Sequence, residues 1–332
     1  MSARVSVVVP TYRRADLLDR CLSSLAAQDC DPAAYEVIVA DDAASDDTRA
    51  QVGKRARSAR CALRYVAVTA AHGPAAARNA GWRAARGEVV AFTDDDCMPD
   101  AGWVRAGAAA LGTQYSVLST QYSTPAAAWG RLRMPLPPAP TDYERNEAGL
   151  EGAEFVTANC FVRRDVLEAV GGFDERFTAA WREDSDLYFS LLERGFRVVH
   201  VPDAVVLHPV RPAPWGVSLL QQRKSLFNAL LYKKHPALYR QKIQASPPWH
   251  YYASTGALAV AIGAALAEAP GPLAVALAAW LALTASFAWR RLHGTSHRPS
   301  HLAEMLVTSA LIPPLSVFWR LRGAVRFGTL FL

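Results

Sequence analysis

The chain has 332 residues, of which 51% are hydrophobic and 20% charged, with a formal net charge of +6. That length suits one large domain with an appendage, or two domains, and the apolar content excludes an intrinsically disordered chain. The positive excess is compatible with nucleic acid, anionic lipid or a phosphorylated substrate, so its placement matters more than its size.

Val5–Val9 is a valine-dense run stopped by Pro10 and reads as a buried strand. It is too short for a signal-peptide core or a bilayer span. From Ala15 to Gln28, Leu17, Leu18, Cys21, Leu22 and Leu25 recur at helical spacing. A second strand, Glu36–Ala40, ends at Asp41 and Asp42. A helix from about Asp47, a strand over 63–68, a helix over 78–86 and a strand over 88–92 follow, the last ending at Asp94. Strand alternating with helix predicts an α/β fold, a mainly parallel sheet covered on both faces, with ligands beyond the carboxyl ends of the strands. Those ends carry Pro10, Thr11 and Tyr12, then Asp41 and Asp42, then Asp94, Asp95 and Asp96. Residues 124–146 are rich in proline and polar side chains and read as an irregular connection. Order returns over 155–163 and 166–170, before a Gly171-Gly172 turn. A helix over 183–194 and a strand over 197–201 then lead to Leu207, His208 and Pro209.

The character changes after about Pro212. Residues 215–234 read as an amphipathic helix with basic ends. Two stretches without charge, 249–267 and 272–289, flank a tight turn from Glu268 to Pro272. Each approaches the roughly 20 residues that cross a bilayer. Arg240 and Lys242 before the pair, and Arg290, Arg291 and Arg298 after it, place both ends on the cytoplasmic side. A buried soluble hairpin is the competing reading, because both stretches are rich in alanine. A third apolar segment, 302–319, contains Glu304, Pro313 and Pro314 and reads as interfacial. Three regions are thus expected: a catalytic domain over 1–212, an amphipathic helical linker over 213–248 and a membrane-associated region over 249–332. The basic residues gather beside the apolar segments, which fits anionic lipid headgroups and not nucleic acid. The five cysteines form no CxxC pair and are odd in number, which argues against a disulfide framework or a zinc site and fits a reducing compartment.

Three adjacent carboxylates repel one another unless a cation offsets them. Asp94, Asp95 and Asp96 after a buried strand therefore suit a hard ion such as Mg²⁺ or Mn²⁺, held by one or two carboxylates together with substrate phosphates. Asp41 and Asp42 can accept hydrogen bonds from a base or ribose, while Ser45 or Asp46 caps the next helix. Glu183 and Asp184 open a helix, where acids favour the dipole; Asp184 also suits a general base if it faces the metal site.

The set Val5–Tyr12, Val39–Asp42, Gly73–Gly81, Arg86–Glu88, Phe92–Asp96, Gly171–Glu175 and Glu183–Leu187 resembles family 2 glycosyltransferases of the GT-A fold, in family order, over roughly residues 4 to 210. The resemblance implies a nucleoside-diphosphate sugar donor, a UDP-sugar first among them, and inversion at the anomeric carbon. It implies that Pro10, Thr11 and Tyr12 line the nucleotide pocket, with Asp41 and Asp42 toward the base and Arg78 nearby. Asp94 and Asp95 would meet the donor, and Asp96, with Asp94, the divalent metal. Asp184 would be the catalytic base, Glu183 would position the acceptor, and His208 resembles a position that in some relatives helps hold the metal or the diphosphate. Two departures stand out. Trp181 and Arg182 precede Glu183 where the family often carries glycine, and the turn after Asp42 has no glycine, which argues against a positive φ there.

A membrane- or lipid-linked acceptor, or a saccharide, follows from the apolar segments, and one site set favours a single transfer over processive polymerisation. A nucleotidyltransferase, with Arg13 and Arg14 as its phosphate grip, and a catalytically inactive membrane scaffold remain as alternatives. No GxGxxG follows the first strand, which argues against a dinucleotide dehydrogenase.

Overall fold

The computed structural model describes residues 4–112 and 124–331. They form two compact units: the described residues through Pro135 with Gly149–Pro209, and Leu136–Ala148 with Val210 onward.

In the first unit the chain order is β1 (Val5–Thr11), α1 (Ala15–Ala26), β2 (Tyr35–Asp41), α2 (Asp46–Ala56), β3 (Ala62–Ala67), α3 (Pro74–Arg83), β4 (Val89–Phe92), β5 (Met98–Pro99), α4 (Trp103–Leu111) and β6 (Ala127–Arg133). After α5 (Asp142–Ala148), which belongs to the second unit, come β7 (Cys160–Arg163), α6 (Arg164–Val170), α7 (Glu183–Glu193) and β8 (Val198–Leu207). The eight strands make one sheet in the order β3-β2-β1-β4-β7-β6-β8-β5. β3, β2, β1 and β4 run parallel, as the β-branched runs predict. The other half is mixed: β7 is antiparallel to β4 and β6, and β8 is parallel to β6.

Register positions the site. Thr11 pairs with Asp41 across β1 and β2, and Val8 pairs with Phe92 across β1 and β4. The segment after Phe92 therefore emerges beside Thr11, at the same rim as the end of β2. Beneath the rim the core includes Val7, Val9, Val39, Leu18, Leu25, Trp103 and Phe161. Trp103 and Phe161 meet at 4.8 Å between ring centroids. A side chain at Gly107 would put its Cβ 2.1 Å from the Phe161 ring, so α4 must carry glycine where it crosses that ring. Gly171 and Gly172, at φ +85° and +72°, make the left-handed turn expected after α6.

Several expectations are corrected. Residues 124–146 are not irregular throughout: β6 and most of α5 lie within them, and the prolines from Pro135 to Pro140 fall between the two. The turn after Asp42 does contain a positive φ, at Ala44 (+48°). Hydrogen bonds from the Ala43 and Ser45 N–H groups to the Asp41 carboxylate hold it there without glycine. Ser45 accepts from the Thr48 N–H and caps α2.

The second unit is helical: α5, then α8 (Val217–Gln221), α9 (Leu226–Lys234), α10 (Pro236–Leu238), α11 (Trp249–Leu266), α12 (Pro270–Leu292) and α13 (Pro299–Phe327). The single amphipathic helix expected over 215–234 is broken by a 3₁₀ turn at Gln222–Ser225. α11 and α12 form the expected antiparallel hairpin around Glu268 and Ala269. The third apolar segment is one helix of 29 residues with Pro313 and Pro314 inside it. α12 and α13, not α11, are long and apolar enough to cross a membrane. Within this unit the buried Arg291 donates to Asp142 of α5 at 2.8 Å and to Thr308 of α13 at 2.6 Å, tying three helices together.

Candidate active site

The ends of β1, β2 and β4 do not all face outward. Asp95 is 2% exposed and accepts from the Thr11 hydroxyl at 2.8 Å and from Arg14 at 3.1 Å. Burial pushes its carboxyl up to about 6, with Arg14 opposing. Asp95 therefore bolts the β1 end to the β4 end. Asp41 is likewise turned inward, its oxygens taken by the Ala43 and Ser45 N–H groups and by Tyr65 Oη at 3.1 Å. Asp42 stays on the rim, where it accepts from the Gly73 N–H at 2.9 Å and lies 3.1 Å from His72 Nδ1. Pro10 is half-buried, and Tyr12, 51% exposed, stands out from the rim with Arg13 over its ring.

Gly73, at φ +106°, opens α3 where a Cβ would lie 2.9 Å from the Thr178 carbonyl oxygen. That close approach packs the start of α3 against the loop before α7. Arg78, one turn into α3, is buried between the two: Nη2 donates to Asp94 Oδ1 at 2.8 Å and Nη1 donates to Glu183 Oε1 at 2.9 Å. One guanidinium thus joins the β4 end to the start of α7. Burial pushes the Glu183 carboxyl up to about 7 against the opposing pull of Arg78. Oε2 of Glu183 is buried without a hydrogen-bond partner among the described residues.

Asp184 follows Glu183 in the first turn of α7, half-buried, and its Oδ1 accepts from the Ser185 N–H at 2.6 Å. Arg182, where the family often carries glycine, holds a left-handed φ of +77° with its guanidinium 4.5 Å from the Trp181 ring centroid. The backbone keeps the glycine conformation without the glycine.

A second convergence lies beside the first. Asp96 Oδ1 is 3.2 Å from His208 Nε2, just beyond the end of β8, and Cys97 Sγ is close by, all three within 4.8 Å. Asp94 is outside this group and faces Arg78. Asp96 and His208 contact each other directly, and a nearly buried carboxylate beside an imidazole nitrogen offers donors that suit a divalent cation with substrate oxygens completing its shell. The residues present therefore fit a metal. His72 was missed as a neighbour of the site, Cys97 was read only for its cysteine spacing, and Arg14 only as part of the phosphate grip of the alternative nucleotidyltransferase.

The family model described as Glycosyl transferase family 2 matches residues 6–171, and Glycosyl transferase family group 2 matches 146–319. Glycosyltransferase AglE of Haloferax volcanii is 27% identical over 220 residues, 63% of this chain and 67% of its own length. Validoxylamine A glucosyltransferase of Streptomyces hygroscopicus subsp. limoneus is 28% identical, over 70% of this chain and 57% of its own length. The chain thus spans about three fifths of these relatives. Among solved structures, the mannosyltransferase PcManGT from Pyrobaculum calidifontis, in complex with GDP-Man and Mn²⁺, aligns at a TM-score of 0.60 with 24% identity, covering 96% of this chain and 88% of that one. With both family models matched in order and the motif residues gathered on one rim, the chain belongs to family 2 of the glycosyltransferases.

Proposed function

We propose that this chain is an inverting, metal-dependent glycosyltransferase that moves a sugar from a nucleoside-diphosphate sugar to a hydroxyl of a lipid-linked or saccharide acceptor at the cytoplasmic membrane. The observation that carries the reading is the Arg78 bridge, which brings a donor-side carboxylate, Asp94, and the acidic start of α7 into one site.

Tyr12, Asp42 and the His72-Gly73 turn line the side of the rim where the base and ribose would lie. Asp96 and His208 would hold Mn²⁺ or Mg²⁺; such an ion offsets charge on the departing diphosphate. Asp184, on the helix that Arg78 anchors, is the general base. Its carboxylate takes the proton of the acceptor hydroxyl as the oxygen attacks the anomeric carbon, opposite the leaving diphosphate. A single displacement of this kind inverts the configuration and needs no enzyme nucleophile. Glu183, held by Arg78, fixes the first turn of α7 and the acceptor side of the site. That this fold accommodates a nucleotide sugar and Mn²⁺ together is seen in the Pyrobaculum enzyme; a UDP-sugar is our choice of donor here.

The membrane part of the proposal is supported by α12, whose 23 residues extend about 34 Å at the helical rise per residue. It leaves Val275, Leu281 and Trp289 exposed. Arg240 and Lys242 before the hairpin and Arg290 and Arg291 at its end support a cytosolic catalytic part, beside anionic lipid.

The test is release of nucleoside diphosphate from a panel of nucleotide sugars, with Mn²⁺, Mg²⁺ or EDTA, with and without membrane lipid extract. Metal-dependent release from one donor, raised by the extract, is expected. No release under any condition, from folded protein, would contradict the proposal and favour an inactive scaffold.

A further inference from the structure

Strand β6 carries two arginines past the level at which the acidic run begins. Trp129 on β6 pairs with Cys160 on β7, and Cys160 with Phe92 on β4, so the three lie on one rung across the sheet. Side chains alternate along a strand. Ala128 and Leu132 enter the core cluster on one face, while Trp129, Arg131 and Arg133 share the other. That second face is the one α7 packs on, with the Trp129 and Tyr188 ring centroids 6.2 Å apart. Asp184 precedes Tyr188 by four residues and so shares its helix face, about 6 Å nearer the start of α7. Arg131 lies about 7 Å beyond Trp129 along β6, and Arg133 about 13 Å. Because α7 begins above the β4 end, where Arg78 ties Glu183 to Asp94, both displacements run outward from the same rung. Arg131 thus stands at the height of Asp184, on the adjoining wall of the site.

The backbone that presents the two arginines is clamped. At Gly130 the register with β8 jumps from Val201 to Val205, and a Cβ there would lie 2.0 Å from the Ala204 carbonyl oxygen. Asn159, wholly buried, donates to the Arg131 carbonyl at 3.1 Å and to the Ala204 carbonyl at 2.9 Å. Arg131 and Arg133 are exposed, and neither guanidinium has a hydrogen-bond or ion-pair partner among the described residues. Carboxylates of the neighbouring segment are engaged: Glu151 accepts from the Met134 N–H, and Glu154 from Tyr188 Oη at 3.1 Å.

We propose that Arg131 and Arg133 form a phosphate-binding pair for the acceptor, which is therefore a phosphate or diphosphate ester and not a neutral saccharide. This rests on the proposed role of Asp184 as the base toward which the acceptor hydroxyl is turned. Two guanidinium groups on one strand face can converge on one phosphate, and their planar forks match its oxygens. The donor diphosphate has its own counter-charge in the metal proposed at Asp96 and His208. Those two lie beside Cys97, a member of the core cluster under the opposite face of the sheet. The arginines bind and orient the acceptor and take no part in the proton transfer.

Two measurements on the whole chain in detergent test this. Inorganic pyrophosphate, titrated in EDTA at low ionic strength, should bind the wild type and lose about tenfold or more in affinity when Arg131→Ala and Arg133→Ala are combined. With membrane lipid extract as acceptor and Mn²⁺ present, the double variant should raise the acceptor KM about tenfold or more and move the donor KM by less than about twofold. Combining Arg131→Lys with Arg133→Lys, which keeps both charges, should recover part of the loss. Sedimentation with phosphatidylglycerol vesicles separates an acceptor phosphate from bulk headgroups, and the alanine variant should sediment as the wild type does. A donor KM that rises as much as the acceptor KM would assign the pair to the donor diphosphate. Vesicle binding that falls in step would assign it to the membrane surface. Either result, or pyrophosphate affinity that is absent or unchanged in the variant, overturns the inference and leaves the glycosyltransferase reading standing. If the wild type moves no sugar from any donor, that reading fails, and the inference about the acceptor falls with it even where pyrophosphate binds.

Discussion

Arg78 and Glu183 form a buried ion pair, 2.9 Å between Nη1 and Oε1, that spans 105 residues of sequence and joins the helix after β3 to the helix that carries Asp184. The second arm of the same guanidinium holds Asp94. Removing the cation from this arrangement would leave the buried Glu183 carboxylate without its partner.

Arg78→Ala should therefore cost about 3–5 kcal/mol of stability, the range for a buried charge left unpaired. Arg78→Lys keeps the charge but not the planar fork that reaches both carboxylates, so it should fold yet lose transfer activity by about tenfold or more. Urea denaturation and turnover on the same preparations measure the two effects. Full activity in Arg78→Lys would show that the bridge does not position α7.

Glu36 gives a pH prediction remote from Asp96 and His208. It is buried, and burial alone would raise its carboxyl. Hydrogen bonds from Ser6 at 2.7 Å, Arg64 at 2.9 Å and the Arg86 N–H at 2.8 Å outweigh that and hold it below the usual glutamate range. A carboxyl lowered on folding adds stability above its unfolded value, about 4.3, and that contribution disappears as pH falls through the lower folded value. Glu36→Gln should thus be less stable than wild type at pH 7, by about 1–3 kcal/mol, with the gap closing below about pH 4. Denaturation curves at pH 7 and in the acid range check it; a gap that widens in acid contradicts it.

Asp41 and Asp96 should separate into structural and binding roles. Asp41→Ala strips the partner from two backbone N–H groups and Tyr65, so it should lower stability by about 1–3 kcal/mol and leave donor affinity little changed. Asp96→Ala should do the reverse: modest effect on stability, loss of metal-dependent donor binding. Calorimetric titration of donor with Mn²⁺ or with EDTA distinguishes them. Retained metal-dependent binding in Asp96→Ala would remove it from the metal site.

The exposed apolar face of α12 predicts that the chain sediments with membranes and resists alkaline carbonate. A charge at Leu281, exposed near the middle of α12, should cost about 2.5–3.5 kcal/mol of insertion and shift Leu281→Lys toward the soluble fraction. Wild-type protein found wholly in the soluble fraction would exclude the membrane reading.

The parallel half of the sheet was legible in the sequence because buried parallel strands are continuous β-branched runs, and Val5–Val9 and Glu36–Ala40 are both of that kind. β6 was not. Its run from Ala127 to Arg133 carries two arginines and a glycine and lies among prolines, so no period stands out. Runs of acids pointed to one rim but could not sort their members. Asp94, Asp95 and Asp96 are adjacent in sequence, yet one faces Arg78, one is locked under Thr11 and one meets His208. Orientation along a short irregular segment depends on partners from distant strands, which local pattern does not encode. Arg182 and Ala44 teach the same lesson for backbone: both hold left-handed conformations without glycine, Ala44 because the Asp41 carboxylate takes the N–H groups on either side of it.

The most direct test of the account is Asp184→Asn, with donor affinity and turnover measured on the same preparation. The account predicts donor binding within a few-fold of wild type and turnover reduced by about a hundredfold or more, as expected for loss of a general base. Turnover equal to wild type would contradict it and remove Asp184 from the chemistry.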